Sequence, residues 1–294
     1  MPPNDNDPAR SSNVPHAYAS TTPCQQNGTA KPTPTQPHHV QIVGYDTARP
    51  DADPPREPTL HVATDHEITR RSLETGTTLE YTLDDRHCAG HVEDAGHHPC
   101  SSDDAPYCHQ HTSTWACARC TGNCNLPLDA CTDEHAIYLA AFAPDTFKVG
   151  VTRSWRLHTR LYEQGADRAA HINTVPDGRI ARQLEAEIAD TLTDRVRTPT
   201  KRRTLASTVD EDAWNDLLDD HSVLQEYAFD YGLHFDTQPV AETIATGTVH
   251  GVKGRLLVLE HNDTTYAVDL RDLVGHDVTP EPATRDLQSS LDSF

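Results

Sequence analysis

Lysine is nearly missing from this chain. Four lysines stand among 294 residues, against 20 arginines, 31 aspartates and 14 glutamates, and the net charge is −21. Short acidic side chains in place of lysine keep a protein hydrated and dispersed in molar salt, so the composition reads as halophilic. On such a surface global charge excludes no partner, and a nucleic-acid interface has to be sought region by region. No apolar run reaches the roughly 18 residues of a membrane-spanning helix, so no membrane partner is expected. The opening "MPPNDNDPARSSNVPHAYAS" lacks a basic start followed by an apolar run. That argues against a secretory signal and for a cytoplasmic protein. No internal repeat is present.

Large apolar residues are scarce over 1–38, where Pro, Ser, Thr and Asn dominate. Such a segment buries too little surface to offset the entropy of ordering, so a disordered tail is expected, with Cys24 alone in it. Residues 39–86 read as a short β-strand region, with strands at "HVQIVGYD", "TLHVA" and "TTLEYTL". Residues 87–132 form a cysteine-rich segment, and 133–206 an α/β core. Residues 207–240 read as helical, centred on 210–228. Residues 241–279 read as three short strands with a hairpin turn near Asn262–Asp263. Residues 280–294 read as a second disordered tail.

Seven of the eight cysteines lie between Cys88 and Cys131. Without an export signal disulfides are not expected, and an odd number leaves one unpaired. Adding one histidine completes two tetrahedra. Cys88, Cys100, Cys108 and His111 make one set; Cys117, Cys120, Cys124 and Cys131 make the other. Two intervening residues aim a ligand pair at one ion, so two zinc ions are expected. A second pairing puts Cys108, His111, Cys117 and Cys120 on one ion, and an all-cysteine set also suits an iron–sulfur cluster. Four protein ligands close a site, which makes it structural. Trp115 is nearly the only large apolar residue here, so metal has to supply the folding free energy.

From Ala136 the pattern changes. "AIYLAAFA" reads as a buried strand, "FKVGVT" as a second, and "AHINTV" as a third. Between the last two, Ser154 is placed to cap a helix "WRLHTRLYEQ" that Gly165 stops. "RIARQLEAEIADTL" is a second helix, with Ile180, Leu184, Ile188 and Leu192 four apart. The order is β-β-α-β-α.

The segment "IYLAAFAPDTFKVGVTRSWRLHTRLYEQ" resembles the GIY-YIG endonuclease motif. Ile137–Tyr138 stands at the family's Ile-Tyr, and Val149–Gly150 at its Ile-Gly, with Lys148 in place of the second tyrosine. Arg160–Leu161 matches its arginine-bearing helix, and "ARQLEAEI" places its metal-binding glutamate at Glu185. Gln164 stands where the nucleases often carry histidine. The resemblance covers residues 136–205 and implies an α+β fold: a GIY-YIG-like β-β-α-β-α core with a zinc-binding domain and flanking strands. A second resemblance spans most of the chain. "HC-x-G", "YCHQH", "CARCTGNC", "KVGVT", "RLYEQGAD" and "GVKGRLLVL" are similar to a family of archaea and actinobacteria catalogued as domain of unknown function 2797. Its members join a cysteine-rich half to a GIY-YIG-like core, with cysteine where His111 stands here.

Phosphodiester hydrolysis needs an activated nucleophile, neutralisation of developing charge and a cation near the phosphate. The expected catalytic set is Tyr138, Lys148, Arg156, Arg160 and Glu185, with Mg²⁺ or Mn²⁺ at Glu185. Arg153 joins Arg156 and Arg160 on one side of the helix, and "RVRTPTKRR" offers Lys201, Arg202 and Arg203 as a strip along a DNA or RNA backbone. Residues 136–205 carry 12 basic and 8 acidic side chains, a locally positive module in an acidic chain. Plainer roles stand beside these. Tyr138 suits a core position, Arg156 and Arg160 can pair with Glu163 or Asp167, and Glu185 can pair with Arg182. Three functions remain open: a metal-dependent nuclease, a non-catalytic nucleic-acid-binding protein, and a protein-interaction module with structural zinc.

Overall fold

The computed structural model describes residues 39–50, 52–93, 96–112 and 131–283. The two terminal segments expected to be disordered fall outside these residues, except Pro280 to Ala283. Cys117, Cys120 and Cys124 also fall outside them. The fold is α+β, built on two sheets.

The smaller sheet carries the β-β-α-β-α order. It comprises β7 (His135–Phe142), β8 (Thr146–Arg153), α1 (Leu157–Gln164), β9 (Arg168–Val175) and α2 (Gly178–Ile188), numbering strands along the chain. A fourth strand, β10 (Gln225–Ala228), pairs antiparallel with β9, giving the order β10-β9-β7-β8. The run "AIYLAAF" is apolar throughout because β7 is central and covered on both faces. Ile137, Leu139 and Ala141 pack in one cluster with Ala181 of α2 and Trp214 of α4 (Glu211–Asp219). Ala136, Tyr138, Ala140 and Phe142 point the other way, against Leu157 and Leu161 of α1.

The larger sheet draws on both ends of the described chain. β1 (Val40–Asp46), β2 (Thr59–Thr64), β3 (Glu67–Ser72) and β4 (Thr78–Arg86) come first. Later come β11 (Val240–Ala241), β12 (Ala245–Lys253), β13 (Leu256–His261), β14 (Thr264–Asp269) and β15 (His276–Thr279). β4 pairs with both β12 and β15, so the strand regions 39–86 and 241–279 form one sheet. Short strands β5 (His91–Glu93) and β6 (Gly96–His98) extend its far edge. Its core is Ile42, Leu60, Leu73, Leu257, Leu259 and Leu270 among others.

Several sequence expectations are corrected. Ser154 does not cap α1. It opens a 3-10 turn, Ser154–Arg156, and its buried hydroxyl has no partner. The better cap belongs to α2, where the Asp177 carboxylate accepts from the Arg179 and Ile180 amides. Ile180 is 45% exposed, while Leu184, Ile188 and Leu192 pack inward as the periodicity predicts. Only Glu211–Asp219 of the region 210–228 is helical, because Gln225–Ala228 finds the open edge of β9. The C-terminal region adds β15 to the three expected strands, and the β13–β14 turn is at Asn262–Asp263, both at positive φ.

The sheets meet where two left-handed glycine turns press together. Gly165 ends α1 at φ 68°, and Gly254 links β12 to β13 at φ 56°. A Cβ on Gly254 would stand 2.5 Å from the Gly165 nitrogen. Beside this contact Lys253 Nζ donates to Asp167 Oδ1 at 2.6 Å, and Tyr231 donates to the Ala166 carbonyl at 3.0 Å. The corner fixes α1 and β8 opposite the end of β1, and a cleft opens between them.

Candidate functional site

The cleft has a volume of about 1250 Å³. One wall is β7, β8, α1 and α2; the other is Tyr45 to Arg49 after β1, with Lys253 and Arg255. Eleven lysine and arginine residues line it against four carboxylates. Three of the four lysines in the whole chain, Lys148, Lys201 and Lys253, are among them.

All five residues expected to be catalytic line this cavity: Tyr138, Lys148, Arg156, Arg160 and Glu185. Arg153 and Lys201 line it as well; Arg202 and Arg203 do not. The basic stretch 195–203 is therefore no continuous surface strip. Its end forms α3 (Thr198–Arg203), which turns Lys201 inward and leaves Arg203 exposed. Sequence reasoning missed Arg49, Lys253 and Arg255, which reach the cleft from distant segments. The scarcity of lysine was a usable signal for Lys253.

Tyr138 and Gly150 are paired across β7 and β8, and the tyrosine ring lies over the glycine. A Cβ on Gly150 would stand 2.5 Å from the Tyr138 Cζ and hydroxyl. A bare backbone at 150 is therefore what lets the ring lie flat towards the cleft. Tyr138 is 1% exposed, and burial raises its pKa, against an opposing pull from Arg160, so the phenol keeps its proton near neutrality.

Gln164, at the end of α1, organises the floor. Its amide donates to the Tyr138 hydroxyl at 2.8 Å, and its Oε1 accepts from Lys148 Nζ at 3.2 Å. Its backbone carbonyl accepts from Lys201 Nζ at 2.7 Å. The Lys201 ammonium also sits 3.9 Å from the Phe142 ring centroid. Burial, reinforced by Arg160, pushes Lys148 down to about 8. Burial, reinforced by Lys148, Arg160, Arg255 and Lys253, pushes Lys201 down to about 7.

The other cations are mostly paired. Arg156 meets Glu163 at 3.1 Å and Arg160 meets the same carboxylate at 3.6 Å; Arg153 meets Asp133 at 2.9 Å. Glu185 is taken by Arg182 at 2.6 Å. It also belongs to no group of three or more His, Cys, Asp or Glu ligand atoms among the described residues. Glu185 in this arrangement does not fit a divalent-metal site, since a guanidinium occupies the carboxylate that would bind the ion.

The cysteine cluster lies apart from these charges. Cys88, Cys100, Cys108 and His111 bring their ligand atoms within 4.8 Å of one another and could hold a metal ion such as zinc. His111 Nδ1 is 3.3 Å from both the Cys88 and the Cys108 sulfur. The amides of Gly90 and Cys108 donate to the Cys88 sulfur at 3.4 and 3.3 Å. Burial pushes the Cys88 thiol up, and these N–H···S bonds oppose that shift. The four ligand atoms of the first expected grouping are thus brought together; Cys117 and Cys120 of the alternative grouping lie outside the described residues. Cys131, of the second set, is half-buried; its three expected partners lie outside the described residues. His87, at the neighbouring position, is not a free solvated ring: its Nδ1 is 2.9 Å from the Cys100 carbonyl and its Nε2 3.1 Å from Asp277.

Fold and sites together define a class: an α+β protein with a cationic cleft and a four-ligand cluster fit for a metal ion. Among the described residues no helix is long and apolar enough to cross a membrane. Residues 98–278 match the family described as Protein of unknown function (DUF2797), and the chain belongs to that family. No curated protein and no solved structure matches the chain.

Proposed function

We propose that this is a nucleic-acid-processing protein that binds phosphate groups of DNA or RNA in the cationic cleft. The observation that carries the reading is the concentration of charge. A chain of net charge −21 lines one cavity with eleven lysines and arginines against four carboxylates. Gathering like charges is unfavourable unless an anion relieves it, and phosphates in a partly enclosed cleft are screened less by salt than at an open surface. That matters for a halophilic protein, because counterion release weakens steeply as salt rises.

The Cys88, Cys100, Cys108 and His111 cluster is read as a structural zinc site, with a second zinc at the remaining cysteines. Four protein donors leave no open position for substrate, so zinc contributes folding free energy here and no chemistry. Tyr45 stands both in the cleft wall and in the hollow beside His111, which links the two regions.

A second reading, phosphodiester cleavage, is favoured by one observation: Tyr138, Arg160 and Glu185 share a wall of the cleft on a β-β-α-β-α frame. In that reading the resemblance to GIY-YIG nucleases extends to function. Tyr138 would hold the attacking water by its phenol, and Lys148 and Arg160 would neutralise charge on the phosphate. No step is drawn through Mg²⁺ or Mn²⁺, given the Arg182–Glu185 pair.

The test is a binding and cleavage assay in molar KCl with Mg²⁺ or Mn²⁺, offering labelled single-stranded, duplex and branched DNA, and RNA. Binding of at least one is expected. Cleavage that disappears in Tyr138→Phe establishes the second reading. Absence of both binding and cleavage overturns the proposal in favour of a protein-interaction module.

A further inference from the structure

The geometry points to Lys148 and Lys201, flanked by Arg160, as a receptor for a phosphate monoester dianion, presented by a nucleic-acid end or a nucleotide. It rests on the cleft reading for the strand end, and narrows it from phosphate in general to terminal phosphate.

The cleft holds two kinds of cation. Arg156, Arg182, Lys253 and Arg255 each have a carboxylate between 2.6 and 3.1 Å away. Lys148 and Lys201 have none within ion-pair distance among the described residues. Their ammonium groups come from different elements, β8 and α3, yet both are tied to Gln164, one to its side chain and one to its carbonyl. Neither bond carries a formal negative charge. Arg160 has only a share in Glu163, at 3.6 Å.

An unpaired cation in a protein interior is costly, and two side by side cost more. Lys148 is 8% exposed. The charged groups acting on it are Arg160 and Arg182 in opposition and Glu185 and Asp194 in support. The strongest acting on Lys201 are Lys148, Arg160, Arg255 and Lys253, all of like sign. A chain that has almost dispensed with lysine keeps two where they repel each other. An ion of opposite charge relieves that repulsion. A backbone phosphodiester brings one negative charge, whereas a phosphate monoester brings about 1.5 to 2 at neutral pH and three acceptor oxygens. Two ammonium groups with five-donor Arg160 beside them match the monoester in charge and in hydrogen bonding.

The experiment compares one single-stranded oligonucleotide in three forms: 5′-phosphorylated, 3′-phosphorylated and without terminal phosphate. Fluorescence anisotropy reads binding to wild type, Lys201→Met and Lys148→Met. Thermal shift by a nucleoside monophosphate and by inorganic phosphate is read in parallel. One phosphorylated end should bind about tenfold tighter than the bare strand, the margin expected of a charge-assisted contact. Both variants should lose that margin. Their ligand-free melting temperatures should not fall, because each loses an uncompensated charge; a purely structural lysine would give a drop. Equal binding of all three strands overturns the receptor and leaves the cleft reading standing. If no strand binds while the monophosphate shifts wild type and not the variants, the receptor stands and the strand reading fails. If nothing binds or shifts, both fall.

Discussion

The cysteine cluster and the cleft floor pose the same electrostatic problem with opposite signs. At Cys88, Cys100 and Cys108, sulfurs that become thiolates converge within 4.8 Å with His111. At Lys148 and Lys201, ammonium groups converge on Gln164 without a carboxylate. Each arrangement needs a partner the chain does not provide, a cation in one and an anion in the other. They differ in how the fold bears the burden. The cysteines lie in a segment with little core of its own, so their partner has to hold the segment together. Lys148 is mounted on a sheet whose central strand is buried on both faces, and Lys201 on α3 lies against Phe142 of that strand, so the scaffold tolerates them without an anion. The first cluster is thus expected to govern stability and the second to oppose it.

The largest effect should come from removing the metal. Cys88→Ser, or a strong chelator, should cost several kcal/mol and open the segment around Cys88 to Thr112 to protease, because structural zinc contributes much of the folding free energy of such segments. Zinc content by elemental analysis should drop by one ion per chain in the variant. Full zinc content and unchanged proteolysis would break the comparison at its root.

Next in size is Gly150→Ala. The added Cβ meets the Tyr138 ring at 2.5 Å, so the buried ring has to shift. Overpacking of this kind costs about 1–3 kcal/mol. It should also disturb Gln164, whose amide holds the Tyr138 hydroxyl, and through it both lysines. A melting curve and the oligonucleotide titration together check this. A stable variant with intact binding would show that Gln164 does not depend on Tyr138.

A smaller effect follows from pH. The folded-state pKa of Lys201 is lowered to about 7, and that of Lys148 to about 8, from an ordinary value of 10.5. Between about 7 and 10.5 the unfolded chain therefore binds more protons than the folded one, and stability rises with pH. The penalty is complete below about pH 7 and is relieved as the lysines lose their protons in the folded state. Ligand-free melting temperatures measured from about pH 7 to about pH 9 should climb more in wild type than in Lys201→Met. A bound phosphate should reverse the trend, since it favours the protonated lysines. Equal slopes in the two proteins would mean that Lys201 is not an unpaired cation.

The two clusters also differ in how far the sequence disclosed them. The first candidate ligand set spans Cys88 to His111, and spacing proposed it as one of two groupings; the fold brings its four ligand atoms together. The buried run at β7 and the β-β-α-β-α order were legible for the same reason, since periodicity and turns act over a few residues. The cleft was legible only on one wall. Arg49, Lys253 and Arg255 lie far from "KVGVTRSWR" in sequence and join it only because β1 and β12 belong to a sheet closed by long-range pairing. Helix capping failed at Ser154 because a 3-10 turn intervenes, a choice that local propensity does not fix.

The smallest predicted effect is the sharpest check on that lesson. Composition makes "KRR" one unit, three cations equally suited to a backbone. In the fold they separate: Lys201 points into the cleft, while Arg203 is exposed and outside it. An exposed arginine acts on a phosphate through screened solvent, and in molar salt its reach shrinks to about 3 Å. Arg203→Ala should therefore change oligonucleotide affinity by less than about twofold and leave stability within about 0.5 kcal/mol. Lys201→Met, two positions away, should abolish the preference for a phosphorylated end. If Arg203→Ala weakened binding as much as Lys201→Met, the basic stretch would be acting as a surface strip, and enclosure would not be what sets Lys201 apart.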